Sequence, residues 1–293
     1  MNQGYIFKDQ IMIITNKIAA LTATLTTAMS LLAAPAMAFS VGATNNIETL
    51  KNNLLGTNTA GLSNFSLSIR GDARAFGIFT DDPFGLRSGV VMSTGKVSDL
   101  PGPNLEDDTG TDFPPSGETG DLAQLNLSFF ADSTAEKLFF KYVFGSEEFL
   151  EYGGTPYNDD FDLLLNGTNL AKLTDGKTVT INNLVPNSGD RSTDHPDYIN
   201  NPPFKGLAAN IIKLDGYTKV LGFEGLLNKN QTNVLTIRIQ DIGDGALDSA
   251  VFIQGNVGTI DPDETVPEPM TVGGLMAGGA MLAAGRKLRS RRK

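Results

Sequence analysis

The chain has 293 residues, no cysteine, no tryptophan and a single histidine. The missing cysteines exclude disulfide bonds, and one histidine disfavours a histidine-based zinc site or a histidine-dependent catalytic triad. The whole chain has a net charge of −10, but its central part is more acidic. Residues 39–285 carry 15 of the 23 basic residues and 32 of the 33 acidic ones. This surplus of carboxylates repels nucleic acid and suits the binding of cations.

The amino-terminal residues have the pattern of a secretion signal. Lys17 precedes an apolar run that extends to Leu32, and Ala36 and Ala38 form a small-residue cleavage motif. We therefore interpret residues 1–38 as a signal peptide, with a retained membrane anchor as the alternative. The mature chain then begins at Phe39.

Beyond this signal the sequence predicts one short helix followed by strands. Ile47, Leu50 and Leu54 recur at helical spacing within 45–55. After this segment, apolar and polar residues alternate with a period of two, or apolar residues form short runs, which is typical of strands. The predicted strands cover 65–70, 75–80, 89–94, 122–130, 137–144, 161–165, 169–173, 178–184, 218–227, 233–240 and 249–257.

Both faces of the predicted strand 137–144 are largely apolar, which favours a central position in a sheet. Asn166 and Gly167 form a dipeptide that favours a tight hairpin turn. The absence of alternating strands and helices disfavours a parallel sheet. We predict an all-β fold over residues 39–258, a single jelly-roll-like β-sandwich with one short N-terminal helix.

A dense group of acids lies at 142–162 and includes Glu147, Glu148 and Asp159. Clustered carboxylates repel one another unless solvent or a cation screens them. Either glutamate can meet Asp159 across the turn and offer oxygen ligands to calcium, although neighbouring strand residues point to opposite faces. The alternative is a solvated loop stabilised by Asx turns.

A second group of acids lies in the Gly-rich turn 241–248. Asp241 continues the core-facing side of the strand 233–240, so it needs backbone N–H groups or a metal as its partner. We predict that this turn meets 142–162 at one edge of the sandwich and shares a calcium ion with it. The alternative is that Asp241 and Asp248 only hold the turn by backbone hydrogen bonds. The candidate calcium ligands are Glu147, Glu148, Asp159, Asp241, Asp244 and Asp248.

The only histidine, His195, lies in a segment rich in Asp, Ser and Pro. This composition indicates an exposed loop and a surface histidine. No nucleophile elbow accompanies it, which disfavours a role as a catalytic base.

Several separated motifs of the body resemble those of choice-of-anchor L domains. They occur in the order 52–56, 89–104, 144–161 and 241–253, the third of which contains the acids of the first group. The resemblance implies a secreted, non-catalytic surface module whose C-terminal anchor varies between members. Asp162 departs from the more apolar run of the relatives, so the resemblance implies no role for it.

Three features follow one another at the carboxyl end. A Pro-Glu-Pro motif at 267–269 precedes an apolar segment at 270–285 and six basic residues within 286–293. This order resembles the PEP-CTERM sorting signal, which implies processing by an exosortase in a Gram-negative-type envelope. The basic tail keeps its end in the cytoplasm and leaves the body outside, with membrane contact only before cleavage. We assign 259–265 as a linker and 266–293 as the sorting signal.

Together these observations predict a secreted, non-catalytic surface or extracellular-matrix protein. Its expected role is adhesive, or associated with biofilm and exopolysaccharide, with calcium-stabilised loops. Expected partners are the exosortase, extracellular polysaccharide and other surface proteins. The alternative is a glycoside-active enzyme in which paired carboxylates such as Glu147 and Asp159 act as acid and base.

Overall fold

A computed structural model of the protein describes residues 38–57, 59–106, 110–113, 121–243 and 245–260. The predicted sorting signal, nearly all of the predicted signal peptide, most of the linker and Asp244 lie outside these ranges. Within them, no helix is both long enough and apolar enough to cross a membrane.

The described residues form two antiparallel sheets, two short α-helices and three 3₁₀ helices of three residues each. The α-helices are α1 (Ile47–Leu54) and α2 (Ile181–Leu184), and the 3₁₀ helices are Ala73–Ala75, Val97–Asp99 and Arg191–Thr193. The strands are β1 (Ser40–Ala43), β2 (Leu62–Arg70), β3 (Phe76–Thr80), β4 (Ser88–Ser93), β5 (Leu122–Ala131), β6 (Lys137–Ser146), β7 (Asp160–Leu165), β8 (Thr168–Asn169), β9 (Val179–Thr180), β10 (Tyr198–Asn200), β11 (Gly216–Thr218), β12 (Leu221–Leu226), β13 (Gln231–Gln240) and β14 (Ser249–Gln254).

The first sheet has the strand order β1-β3-β4-β14-β6-β11-β10, and β12 also pairs with β6. The second has the order β2-β5-β13-β7-β8, and β9 also pairs with β7. Strand β6 therefore lies between β14 on one side and β11 and β12 on the other, which confirms the predicted central position. The all-β, sandwich-like prediction with one short N-terminal helix is also confirmed.

The main core lies between the inner faces of the two sheets. Strand β5 shows the simplest pattern, because its residues alternate strictly between half-buried and buried from Leu122 to Ala131. Phe129 of β5 and Phe140 and Phe144 of β6 belong to the same buried cluster. A second, smaller cluster that includes Val143 covers the other face of the first sheet, which explains why β6 is apolar on both faces.

Helix α1 lies within the predicted segment 45–55 and has Asn46 as its N-cap. The Asn46 side chain accepts a hydrogen bond from the Thr49 backbone N–H at 2.9 Å, which satisfies one of the free N–H groups at the helix start. Leu50 and Leu54 are completely buried, so the helix covers part of the core with its apolar side. The Asn166-Gly167 turn is also present, with positive φ angles of 51° and 85° that suit a tight hairpin.

Three predicted strands are wrong in part. The predicted strand 218–227 is interrupted at 219–220, which separates β11 from β12. Of residues 178–184 only Val179–Thr180 form a strand, and the Thr180 hydroxyl then caps α2 by accepting from the Asn183 N–H. Of residues 169–173 only Asn169 belongs to a strand, β8. The short strands β1 and β10 were not predicted, because three or four residues carry too little periodicity and the pairing of each depends on another segment of the chain.

Candidate functional site

Three acids from the two predicted groups lie at the same end of the two sheets. Asp159 precedes β7, Asp241 follows β13, and Asp248 precedes β14. Strands β7 and β13 are antiparallel, with Gln240 opposite Asp160, so the end of β13 meets the start of β7. We call Asp159, Asp241 and Asp248 the carboxyl cluster.

Asp159 connects the two sheets at this end and is completely buried. Its Oδ1 accepts a hydrogen bond from the backbone N–H of Ile242 at 3.0 Å. Its Oδ2 accepts from the hydroxyl of Ser249, the first residue of β14, at 2.6 Å. The carboxylate thus joins β7 of one sheet to β14 of the other, and the segments 142–162 and 241–248 are in contact.

Asp241 is the least satisfied member of the carboxyl cluster. Its side chain is only 2% exposed, and neither of its side-chain oxygens has a hydrogen-bond partner of ordinary geometry among the described residues. Burial raises the pKa of this carboxyl well above its usual range, and the negative charge of Asp159 raises it further, whereas the nearby Thr94 hydroxyl lowers it. A buried carboxyl in this position needs a proton or a cation.

Asp248 packs tightly against two neighbouring loops. Its Oδ1 accepts a hydrogen bond from the Thr111 N–H at 3.0 Å. A Cβ atom at Gly95 would lie 1.7 Å from its Oδ2, so a side chain at position 95 would displace the Asp248 carboxyl group. Burial raises the pKa of Asp248 to about 8, the Thr111 hydrogen bond opposes this shift, and the charge of Asp121 adds to it.

Glu147 and Glu148 are both buried, with 2% exposure each. The rule that neighbouring strand residues point to opposite faces does not apply to them, because β6 ends at Ser146 and the chain turns there. The Glu148 N–H donates to the Ser146 hydroxyl at 2.9 Å, and the Glu147 N–H donates to the Asp248 carbonyl oxygen at 3.1 Å. Glu147 therefore lies beside Asp248 through a backbone contact.

The space beside Glu147 and Asp248 is small. Both residues line a cavity of about 10 Å³, together with Lys96 and Lys213. This volume corresponds to about one water molecule. Within the described ranges, no three acidic or histidine side chains come together in an arrangement that could hold a metal ion.

Asp162 lies apart from the carboxyl cluster, on the outer face of the second sheet. Its carboxylate pairs with the guanidinium of Arg238, which lies opposite it on β13. It also accepts a hydrogen bond from the Asn169 side chain at 2.5 Å. Asp162 therefore stabilises the pairing of β7 with β8 and β13.

The expectation of a surface histidine is wrong, because His195 is only 8% exposed. Its backbone N–H donates to the Leu184 carbonyl oxygen at 2.8 Å, which fixes the loop against α2. The Asp197 N–H donates to His195 Nδ1 at 3.1 Å. Local composition does not reveal burial of this kind, because it depends on a contact with a separate helix.

Residues 40–257 match the family model of the choice-of-anchor L domain. The chain belongs to the choice-of-anchor L family. Membership indicates a cell-surface or extracellular protein and a non-enzymatic module. The 89–104 and 241–253 motifs of this choice-of-anchor L domain meet in the structure, where β4 pairs with β14 and Gly95 lies against Asp248.

No curated protein matches the choice-of-anchor L chain. Among solved structures, it is similar to the enzymatically active domain of tailspike protein 4 from bacteriophage CBA120, with 10% identity and a TM-score of 0.24. That alignment covers 70% of this chain and 21% of the tailspike chain, so the chain spans about a fifth of the tailspike domain. A likeness at this level carries no argument about function.

Proposed function

We propose that this protein is a non-catalytic module of the cell surface or extracellular matrix, with an adhesive or exopolysaccharide-associated role. The choice-of-anchor L match supports the surface location. The motif order at 267–293, which resembles the PEP-CTERM signal, supports delivery and processing by an exosortase in a Gram-negative-type envelope.

The observation that carries the non-catalytic part of the proposal is the burial of the acids. An enzyme that cleaves glycosidic bonds needs two carboxyl groups on either side of its substrate. Glu147 and Asp159, the pair considered for this role, are 2% and 0% exposed. Asp159 is in addition committed to hydrogen bonds with Ile242 and Ser249. Both acids are therefore better suited to holding the fold together than to contacting a polymer.

We further propose that calcium neutralises the carboxyl cluster outside the cell. Support comes from Asp241, whose two oxygens are buried without a hydrogen bond of ordinary geometry among the described residues, beside the carboxylate of Asp159. Calcium takes six to eight oxygen ligands from carboxylates, carbonyls and water. The described side chains are not arranged as a ligand shell, so binding requires them to close around the ion or to recruit Asp244 from the same turn.

Thermal unfolding in calcium and in EGTA tests the calcium proposal. Calcium should raise the melting temperature of the wild-type protein, because a ligand that binds only the folded state stabilises it. Asp241→Asn should abolish this response, whereas Glu106→Gln, which alters an exposed acid, should retain it. An identical melting temperature in calcium and EGTA for the wild type would exclude calcium as the stabilising ion.

A second experiment tests the surface role independently of calcium. Cells that produce the full chain, or the chain without residues 266–293, are fractionated, and the released protein is incubated with a polysaccharide panel. We expect envelope or matrix location for the full chain, displacement of the truncated chain, and retention on polysaccharide without turnover. Turnover of any polymer would favour the glycoside-active alternative.

A further inference from the structure

His195 lines an open cleft of about 400 Å³ that is separate from the carboxyl cluster. The cleft lies between the turn that carries Thr174, Asp175 and Lys177, helix α2 with Asn183, and the loop that carries His195. Small-molecule sites typically occupy roughly 300–1,000 Å³, so the cleft is large enough for a small ligand.

The imidazole ring of His195 is held in one orientation and, when neutral, in one tautomer. The Asp197 N–H donates to Nδ1, so Nδ1 carries no proton and the hydrogen of the neutral ring is on Nε2. Asp197 is itself fixed, because its carboxylate accepts from the Thr174 N–H at 2.7 Å and from the Thr174 hydroxyl at 3.0 Å. The ring therefore presents a fixed N–H donor.

Asp175 stands opposite this donor. The distance from His195 Nε2 to Asp175 Oδ2 is 3.4 Å, and Lys177 Nζ lies 2.8 Å from the same oxygen. The hydrogen bonds from Lys177 lower the pKa of Asp175 to about 2, so its carboxylate stays ionised at neutral pH. A donor, an acceptor and an ammonium group are thus adjacent on one wall of the cleft.

This mixture of groups disfavours charged ligands. An anion would meet the carboxylates of Asp175 and Asp194, which both line the cleft, and a cation would meet the Nε2–H of His195 and the ammonium group of Lys177. A hydroxyl group both donates and accepts hydrogen bonds, so neighbouring hydroxyls can satisfy adjacent donors and acceptors together. The chemistry of the cleft therefore favours a neutral, polyhydroxylated ligand.

We propose that the His195 cleft is a saccharide-binding site that accepts one neutral sugar unit of a polysaccharide. His195 Nε2–H donates to a sugar hydroxyl, and the Asp175 carboxylate accepts from a neighbouring one. The rings of Pro186 and Pro196 line the same cleft and offer apolar surface to the C–H groups of the sugar. The inference rests on the proposed role at a polysaccharide-rich surface and assigns that role to a particular site.

The test uses the single histidine as its own reporter. The chain has one histidine, so a protein purified without a histidine tag gives one set of imidazole signals in a long-range ¹H–¹⁵N NMR spectrum. Titrations use cellohexaose, mannohexaose and a galactan-derived hexasaccharide at up to millimolar concentration. We expect the Nε2 tautomer in the free protein and saturable shifts of its imidazole signals with at least one of these sugars.

Three variants make the test specific. Asp175→Asn leaves the partly exposed side chain at the same size and replaces an ionised acceptor, so affinity should fall about tenfold or more. Glu224→Gln lies at a second open groove of about 530 Å³ and should leave binding unchanged. His195→Gln should also lose binding, and Asp175→Asn keeps the test informative if that buried substitution unfolds the protein.

Three results would overturn the inference: no imidazole shift with any of the three hexasaccharides, equal loss of binding in Glu224→Gln and Asp175→Asn, or a shift produced only by zinc ions or inorganic phosphate. None of these results bears on envelope location or on the calcium response of the carboxyl cluster. Conversely, a cytoplasmic chain that still binds a hexasaccharide at His195 would contradict the proposed function and leave the site standing.

Discussion

The titration of the carboxyl cluster yields a quantitative prediction for Asp248→Asn. Asp248 has a pKa of about 8 in the folded protein because it is buried, whereas an unfolded aspartate titrates at about 3.9. A carboxyl whose pKa is raised by folding stabilises the protein most below its unfolded pKa. This stabilisation is lost as the pH rises through the folded pKa. Without calcium, the wild-type protein should therefore lose stability between about pH 4 and about pH 8.

The expected size of this loss of stability follows from the linkage between proton binding and folding. One such group changes the free energy of unfolding by roughly 1.4 kcal/mol for each pH unit between its two pKa values. From about pH 4 to about pH 7 the wild-type protein should lose about 4 kcal/mol through Asp248. The pKa of Asp241 is also raised by burial, so it adds in the same direction. The amide introduced by Asp248→Asn does not titrate, and its carbonyl oxygen can still accept from the Thr111 N–H.

Urea unfolding of both proteins in EGTA, in steps across this pH range, measures the effect. The stability of Asp248→Asn should fall less steeply than that of the wild type, and the difference between the proteins should grow with pH. Glu106→Gln provides the control and should follow the wild-type curve. Parallel curves for the wild type and Asp248→Asn would refute the reasoning. Under the calcium proposal, saturating calcium should flatten the wild-type curve, because the ion displaces the protons.

Two further predictions concern the backbone around the site and the loop 202–213. Gly110→Ala should lower the free energy of unfolding by about 2–4 kcal/mol, because its Cβ would lie 1.4 Å from the carbonyl oxygen of Ala246. Gly222→Ala, whose Cβ would meet no described atom within 4 Å, serves as the control. Phe204→Asn should raise stability by about 1 kcal/mol, because Phe204 has a φ of 62° and is 71% exposed. Urea unfolding measures the free energy of unfolding of each variant. A Gly110→Ala protein as stable as the wild type, or a Phe204→Asn protein less stable than the wild type, would contradict the respective argument.

Local patterns predicted much of this fold because they reflect local physics. The alternation in β5 and β13 follows from one face of each strand packing on the core, and the cap at Asn46 involves a residue only three positions away. The prediction of a strand over 178–184 was wrong in part because it rested on local spacing alone. Its apolar spacing suits a strand, but Thr180 caps a helical turn after only two strand residues.

The sequence indicated which acids belong to the candidate site, but it did not indicate which residues surround them. The expectation that Asp241 faces the core is consistent with its 2% exposure, because it continues the alternation of β13. The alternation of side chains between the two faces of a strand does not apply to Glu147 and Glu148, because the strand ends at Ser146, immediately before them. Thr94 and Gly95 belong to the 89–104 motif, but neither this motif nor the sequence around Thr111 indicates a contact with the carboxyl cluster, because these contacts join separate loops.

The sequence by itself determined the all-β class, the family and the positions of the acids along the chain. Each of these rests on periodicity, composition or motif order, which can be read along the chain without knowing which segments pack together. Only the tertiary structure decided which of those acids meet, that Asp241 is buried without a hydrogen bond of ordinary geometry among the described residues, and that His195 is buried beside an open cleft. Burial and charge state depend on which segments pack together, and packing joins residues as far apart in the sequence as Asp159 and Ser249.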